Sequence, residues 1–381
     1  MRILLAGDTY PPDVNGAAVF ARRLGEGLAR RGHEVHCIAP SPAGFSYKER
    51  SANVWVHRTP SFKYPWHAHF YIADLRRVNR YVDTVVADVA PDIVHIQSHF
   101  LVGRAAARSA MQRHIPLVAT NHFMPENLRH QLPFGMGGSL YRLLAKCSYL
   151  DLRHVLRAAA TVTAPTTHAA NLLSAQAHVH NVIPISCGID LKEFRPNNVK
   201  RKAAGDTVLF VGRLEVEKHV DEILNALTLL DSKIQLNIVG IGSQEIVLRK
   251  LATSLGIDDR VHFRGWLNDE DLRAEYRNAD AFCMPGTAEL QSIATLEAMA
   301  AGLPIVAANS HALPLLVKPG VNGELFTSGN VVELAGAISR VLATTANWRE
   351  LSEGSRLMAG SHDLSSTLDS FEAVYMACKP T

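Results

Sequence analysis

Cysteine is scarce in this chain. Five thiols (Cys37, Cys147, Cys187, Cys283, Cys378) are scattered over 381 residues, none in C-x-x-C spacing, which suits a reduced compartment and argues against a zinc site. Long apolar runs are missing too, with no stretch of about 18 apolar residues to cross a membrane. Residues 1–6 are too short for a secretory signal core and run into Gly7, Asp8, Pro11 and Pro12, so a cytoplasmic location is expected. Neither H-E-x-x-H nor G-x-S-x-G occurs, so zincin-type hydrolysis and an elbow serine nucleophile have no support. Low-complexity tracts and short-period repeats are absent as well.

What is present describes an ordinary globular protein: 47% hydrophobic and 20% charged residues, with a length that makes two domains the natural expectation. The net charge of +3 hides an asymmetry. Residues 1–190 hold 20 Lys/Arg against 12 Asp/Glu, and residues 191–381 hold 19 against 24. A basic half points to an acidic partner such as an anionic membrane surface, with solvated faces of Arg-rich helices as the alternative. No nucleic-acid partner is expected.

Short apolar β-branched runs alternate with helical spacings. Strands are expected at 2–6, 34–39, 92–97, 115–120, 161–164 and 181–185, with helices at 16–31, 74–88 and 139–157 between them. The pattern breaks around 184–202, in a polar, basic connection. It resumes with strands at 207–211, 235–239, 261–263, 281–284 and 304–308 and helices at 220–230, 244–255, 270–278 and 293–301. Such alternation marks parallel sheets covered on both faces. The expected fold class is α/β: two doubly wound Rossmann-like domains, 1–196 and 197–362, facing a cleft at the C-terminal strand ends. A last helix within 363–381 is expected, with a return to the first domain as one placement.

Residues able to do chemistry follow the strands. Glu289 lies on the loop entering the helix at 293–301, where free N–H groups favour an anion such as phosphate. Glu297 lies on that helix, roughly 8 Å along the axis from Ser292 at 1.5 Å rise per residue, a reach that suits the ribose of a bound nucleotide. The alternative is a sheet-covering helix with one acid serving its dipole and one solvated. Arg213 and Lys218 follow the strand at 207–211 and suit a diphosphate leaving group, or else loop solubility. Gly16 opens a helix where backbone can approach a phosphate, or forms a plain turn. Its loop does not match G-x-G-x-x-G and no acid ends the second strand, so hydride transfer is disfavoured. His122, after the strand at 115–120 with Glu126 nearby, is a candidate substrate contact. Gly240 and Gly242 form a weak glycine-rich turn. Asp269 and Asp271 form a D-x-D pattern better explained by capping, because a helix opens there.

Taken together, the Glu289/Glu297 pair, Gly212-Arg213 with Lys218, the Gly16 loop and Cys187-Gly-Ile-Asp190 resemble the retaining nucleotide-sugar glycosyltransferases of family 4, over essentially the whole chain. The resemblance implies the GT-B fold, with a nucleotide-sugar donor held mainly by the second domain and the acceptor by the first. It implies that Arg213 and Lys218 neutralise the departing diphosphate in place of a metal or other cofactor, that Glu297 binds the ribose and that Glu289 holds sugar hydroxyls. By the same resemblance Gly16 lies against the phosphates, His122 contacts the sugar near the reacting carbon, and Ser292 and Ile293 lie at the anion-binding helix start. The base meets the loop at Gly265, largely through backbone. One departure is Gln291-Ser292, where the family commonly carries Phe-Gly; Ser292 is also a good helix cap.

Glu289 to Ser292 and Asn121 to Asn127 resemble lipid-directed members, notably actinobacterial mannosyltransferases that build phosphatidylinositol mannosides from GDP-mannose. Diacylglycerol and glycosyl-diacylglycerol glycosyltransferases are the near alternative, and a nucleotide-sugar epimerase or a non-catalytic binding protein the more distant ones. Aromatic, leucine and cationic residues mix in 65–80 and 134–153, as they do on segments that lie on anionic membranes. An amphipathic core helix is the competing explanation for each. Peripheral association with the inner face of the plasma membrane follows as an expectation.

Overall fold

The computed structural model describes residues 1–64, 71–124, 138–194 and 206–379, and they divide into two compact units. Residues 1–187 with 366–381 form one, and residues 188–365 the other. The first break thus falls at Cys187/Gly188, ahead of the basic connection at 195–205, which lies outside the described residues together with the 196/197 boundary read from it. No helix among the described residues is long and apolar enough to cross a membrane.

The first unit is built on an eight-stranded sheet. Its strands are β1 (Arg2–Ala6), β2 (Glu34–Pro40), β3 (Tyr47–Ser51), β4 (Val54–Thr59), β7 (Ile93–Ile96), β8 (Leu117–Thr120), β9 (Thr161–Ala164) and β10 (Ile183–Pro184), while β5 (Ser61–Lys63) and β6 (Tyr71–Ala73) form a separate pair. The order is β10-β9-β8-β7-β1-β2-β4-β3, parallel except for the antiparallel edge strand β3. Ile3, Leu4, Leu5, Ile93, Val94 and Val118 are fully buried, as strands covered on both faces require. The helix Gly16–Arg30 starts where the Asn15 carboxamide accepts from Ala18 N–H at 2.9 Å, a side-chain cap. It buries Phe20, Leu24 and Leu28. The helix expected at 74–88 begins later, at Val78, because Asp74 is used to turn the chain: its carbonyl accepts from Arg77 and Val78 N–H and its carboxylate from Arg76 N–H.

The last helix, Leu364–Ala377, completes this unit. A Cβ on Gly27 would lie 2.7 Å from Leu368 Cδ1, so a side chain there would force Leu368 to shift. Phe371 and Tyr375 are fully buried, Phe371 against Phe20. Arg31 pairs with Asp369 and Glu372, each at 2.6 Å.

The second unit holds a six-stranded parallel sheet: β11 (Thr207–Val211), β12 (Gln235–Val239), β13 (Val261–Gly265), β14 (Ala281–Met284), β15 (Ile305–Ala308) and β16 (Gly323–Phe326), in the order β13-β12-β11-β14-β15-β16. Its core joins Phe210, Leu236, Ile238, Phe282 and Ile305 of the strands to Leu224, Leu296 and Ile338 of the covering helices. Asn268 caps the helix Asp269–Asn278 by accepting from Glu270 and Asp271 N–H at 3.0 and 2.9 Å. Both acids of the D-x-D pattern are therefore first-turn residues.

Candidate active site

β11 and β14 are neighbours in register, so the loops that follow them leave the same sheet edge side by side. This brings together residues 71 apart in sequence: the Lys218 ammonium donates to Glu289 Oε1. Arg213 donates to Glu217 Oε1 at 2.9 Å, and Glu217 is almost fully buried. Between the two pairs lies Thr287, held on three sides. Its N–H donates to the Glu217 carbonyl at 3.2 Å, its hydroxyl bonds His219 Nε2 at 3.0 Å, and its carbonyl accepts from Ser310 Oγ at 3.2 Å. A Cβ on Gly286 would stand 3.2 Å from Glu289 Oε1 and 3.4 Å from Lys218 Cδ, so the glycine leaves room for the ion pair.

The helix Ile293–Ala300 begins at Ser292, whose hydroxyl accepts from Thr295 N–H at 3.4 Å and bonds Thr295 Oγ1 at 2.8 Å. Sequence reading anticipates this cap but not its backbone, which is left-handed at φ 67°, a region that costs a non-glycine residue about 1–2 kcal/mol. The Thr295 N–H is taken by that cap; the other first-turn N–H groups, Ile293 among them, have no acceptor within the helix, the arrangement that favours an anion. Glu297, one turn on, is not solvated. It is 5% exposed and accepts from the Tyr276 hydroxyl at 2.9 Å, while Glu289 is 9% exposed. Two buried carboxylates beside one helix start go beyond what a sheet-covering helix needs, since buried charge must be partnered.

Glycines lock the neighbouring loops. A Cβ on Gly240 would fall 1.9 Å from the Gly212 carbonyl oxygen, and one on Gly242 would fall 2.2 Å from that of Leu214. Gly240 N–H donates to the Gly265 carbonyl at 2.8 Å, and Gly265 is itself left-handed at φ 66°. The weak G-x-G signal thus has a steric cause. It lets the ends of β11, β12 and β13 nest, with Arg213 carried on one of them.

Gly16 and His122 belong to the first unit. Gly16 is the first residue of its helix. In the same loop Asp13 is buried with one carboxylate oxygen unpartnered among the described residues, and burial pushes its carboxyl up to about 6. His122 follows β8, its ring 4.7 Å from that of Phe20 and its Nε2 3.0 Å from Gln97 Oε1. Burial lowers its imidazole to about 4, so it is neutral at physiological pH. Glu126 lies outside the described residues. Sequence reasoning missed Glu217, although it stands four residues from Arg213 inside a noted stretch. It also missed Gln97, at the end of an expected strand, and Tyr276, whose only signal is its fold position.

Comparison with known proteins identifies the family. Residues 14–193 match the family described as Glycosyltransferase Family 4, and residues 192–358 match Glycosyl transferases group 1. A GDP-mannose-dependent alpha-mannosyltransferase of Mycolicibacterium smegmatis is 30% identical over 90% of this chain and 89% of its own. An alpha-monoglucosyldiacylglycerol synthase of Streptococcus pneumoniae is 27% identical over 92% of this chain and 80% of its own. The solved structure of sucrose-phosphate synthase from Thermosynechococcus elongatus superposes with a TM-score of 0.81 at 20% identity, covering 99% of each chain, a likeness of fold alone. The two parallel-sheet units, the strand-end site and these matches lead to one conclusion: the chain belongs to the family 4 glycosyltransferases of GT-B fold and is a hexosyl-transferring enzyme.

Proposed function

We propose that the enzyme transfers mannose from GDP-mannose, with retention of configuration, to a phosphatidylinositol mannoside-type glycolipid at an anionic membrane surface on the cytoplasmic side. The observation that carries this reading is the paired-charge site after β11 and β14, which opens onto a helix start. Arg213 and Lys218 leave Glu217 and Glu289 for the incoming diphosphate, whose remaining charge meets the first-turn N–H groups at Ser292 and Ile293. Glu297 accepts from the ribose hydroxyls, Glu289 then holds sugar hydroxyls, and the base lies along the backbone at Gly265. In the first unit Gly16 approaches the phosphates and His122 contacts the sugar near its anomeric carbon. The acceptor oxygen bonds that carbon on the face the diphosphate leaves, and its proton passes to the departing phosphate oxygen. Cations aimed at the developing negative charge supply the stabilisation, and no metal is required.

The mannosyl donor is supported by the mycobacterial relative, and a lipid acceptor by the streptococcal one. On the helix Gly138–Leu156, exposed Leu143, Leu144 and Leu150 accompany exposed Lys146, a mixture suited to an anionic lipid surface. The stretches 65–70 and 125–137 lie outside the described residues. The streptococcal relative also favours a second reading, glucosyl transfer to a diacylglycerol-based lipid. A panel of GDP- and UDP-hexoses, scored by thermal shift and then by turnover on membrane lipid extract, separates the two. GDP-mannose is expected to give the largest shift and a mannolipid product, undiminished by EDTA. A UDP-glucose optimum with a glucosyl-diacylglycerol product would replace the first reading by the second. Complete loss with EDTA, restored by Mg2+, would overturn the metal-free mechanism.

A further inference from the structure

Around His122 the first unit holds a run of buried polar side chains that the chemistry above does not use. His95, on β7, is fully buried between two hydroxyls: Nδ1 lies 2.7 Å from Tyr375 Oη and Nε2 lies 2.6 Å from Thr120 Oγ1. Thr120 Oγ1 is in turn 2.7 Å from Thr163 Oγ1. Gln97 is 4% exposed and spans the gap between the two histidines. Its amide nitrogen lies 3.1 Å from His95 Nε2, and its amide oxygen lies 3.0 Å from His122 Nε2. An amide oxygen can only accept, so the hydrogen of that bond sits on His122 Nε2. A neutral imidazole carries one ring hydrogen, which leaves Nδ1 with its lone pair.

We propose that Gln97 is a positioning residue that holds His122 as the Nε2–H tautomer, so that His122 offers substrate an accepting Nδ1 rather than a donating N–H. The proposal rests on His122 being a substrate contact. An accepting nitrogen takes a hydrogen bond from a sugar hydroxyl and complements the positive charge that builds on the ring as the diphosphate departs. A donating N–H would oppose that charge. The hydroxyls of Thr120 and Tyr375 hold His95, and His95 holds the far end of the Gln97 amide. The device therefore runs from the last helix to the β8 loop through groups that all stay neutral.

The tautomer can be read directly by long-range 15N–1H NMR of the full-length protein carrying 15N-histidine, with His122 assigned from the spectrum of His122→Ala. The wild type is expected to show the Nε2–H pattern at pH 7.5. Gln97→Glu keeps an acceptor facing Nε2 and should keep the Nε2 hydrogen, with or without a second proton on Nδ1. Gln97→Leu should give a mixed or Nδ1–H pattern, with kcat lowered roughly 10- to 100-fold, the scale of a misplaced catalytic contact, and donor KM within about twofold. An Nδ1–H pattern in the wild type, or an unchanged pattern in Gln97→Leu, overturns the proposal. Should Gln97→Leu not fold, the wild type and Gln97→Glu decide, since loss of the Nε2 hydrogen in the latter also overturns it. Full turnover by His122→Ala instead overturns the reading of His122 itself, whichever tautomer is seen.

Discussion

Both units place polar side chains at the C-terminal ends of parallel strands, yet they manage charge in opposite ways. In the second unit full charges stand as pairs, Arg213 with Glu217 and Lys218 with Glu289. In the first, imidazoles that are buried or, for His122, half-buried are stripped of charge: loss of water around them lowers His57, His99 and His122 to about 4 and His95 to about 3. Cations already held in the site can turn toward an incoming diphosphate, and a carboxylate released in this way can accept from sugar hydroxyls, which suits a charged donor. A neutral network cannot balance a new charge, but it can offer well-aimed hydrogen bonds, which suits hydroxyl-rich groups.

The sharpest way to break this contrast is Lys218→Ala. It removes one of the two cations proposed to meet the diphosphate and leaves Glu289 buried without its ammonium partner. Turnover at saturating donor should fall about 10²- to 10³-fold, as for other lost electrostatic contacts to a leaving group. A loss of threefold or less would mean the pair is structural.

Acid tests the other side. The folded-state values of these four histidines lie below the ordinary 6.5, so the unfolded chain binds protons that the fold refuses. Their contribution to stability is complete above about pH 6.5 and is lost as pH falls toward 4, by up to about 1.4 kcal/mol per histidine per pH unit. In the second unit His362 is lowered in the same sense. Rate-corrected hydrogen exchange at pH 7.5 and 5.5 should therefore show β1, β7 and β8 losing more protection than β11 and β14. Equal losses would remove the asymmetry.

The smallest expected effect is at Ser292. Ser292→Gly relieves the left-handed backbone at φ 67°, worth about 1 kcal/mol, and gives up a cap whose exchange for glycine costs only a few tenths. A net gain of about 0.5 kcal/mol in urea unfolding of the second unit is expected. A net loss would show that the Ser292–Thr295 bond outweighs the strain.

Much of the fold was legible because strands buried on both faces are written as short apolar runs. β1, β9, β11, β12 and β14 lie where those runs stand. The edge escaped. β3 carries Lys48, Glu49 and Arg50 on a mostly exposed strand, and its order comes from pairing with β4 and from Lys48 and Arg50 lying over the Trp55 ring, which no local pattern announces. In the candidate site the residue types were readable and their partners were not. Arg213 and Lys218 could be assigned to an anion from their place after a strand. That Glu289 holds Lys218, or that Tyr276 holds Glu297, depends on which strands are neighbours. The Tyr375–His95 bond spans 280 residues, so the C-terminal end of the neutral network was invisible until the last helix had a place.

That last helix also orders events in time. Leu368, Phe371 and Tyr375 fill the core of the first unit, but a ribosome makes them only after every residue of the second. The second unit is contiguous and can close as soon as it emerges. The first must wait with Phe20 and His95 uncovered, so in the growing chain the half that is synthesised first is the half that finishes last.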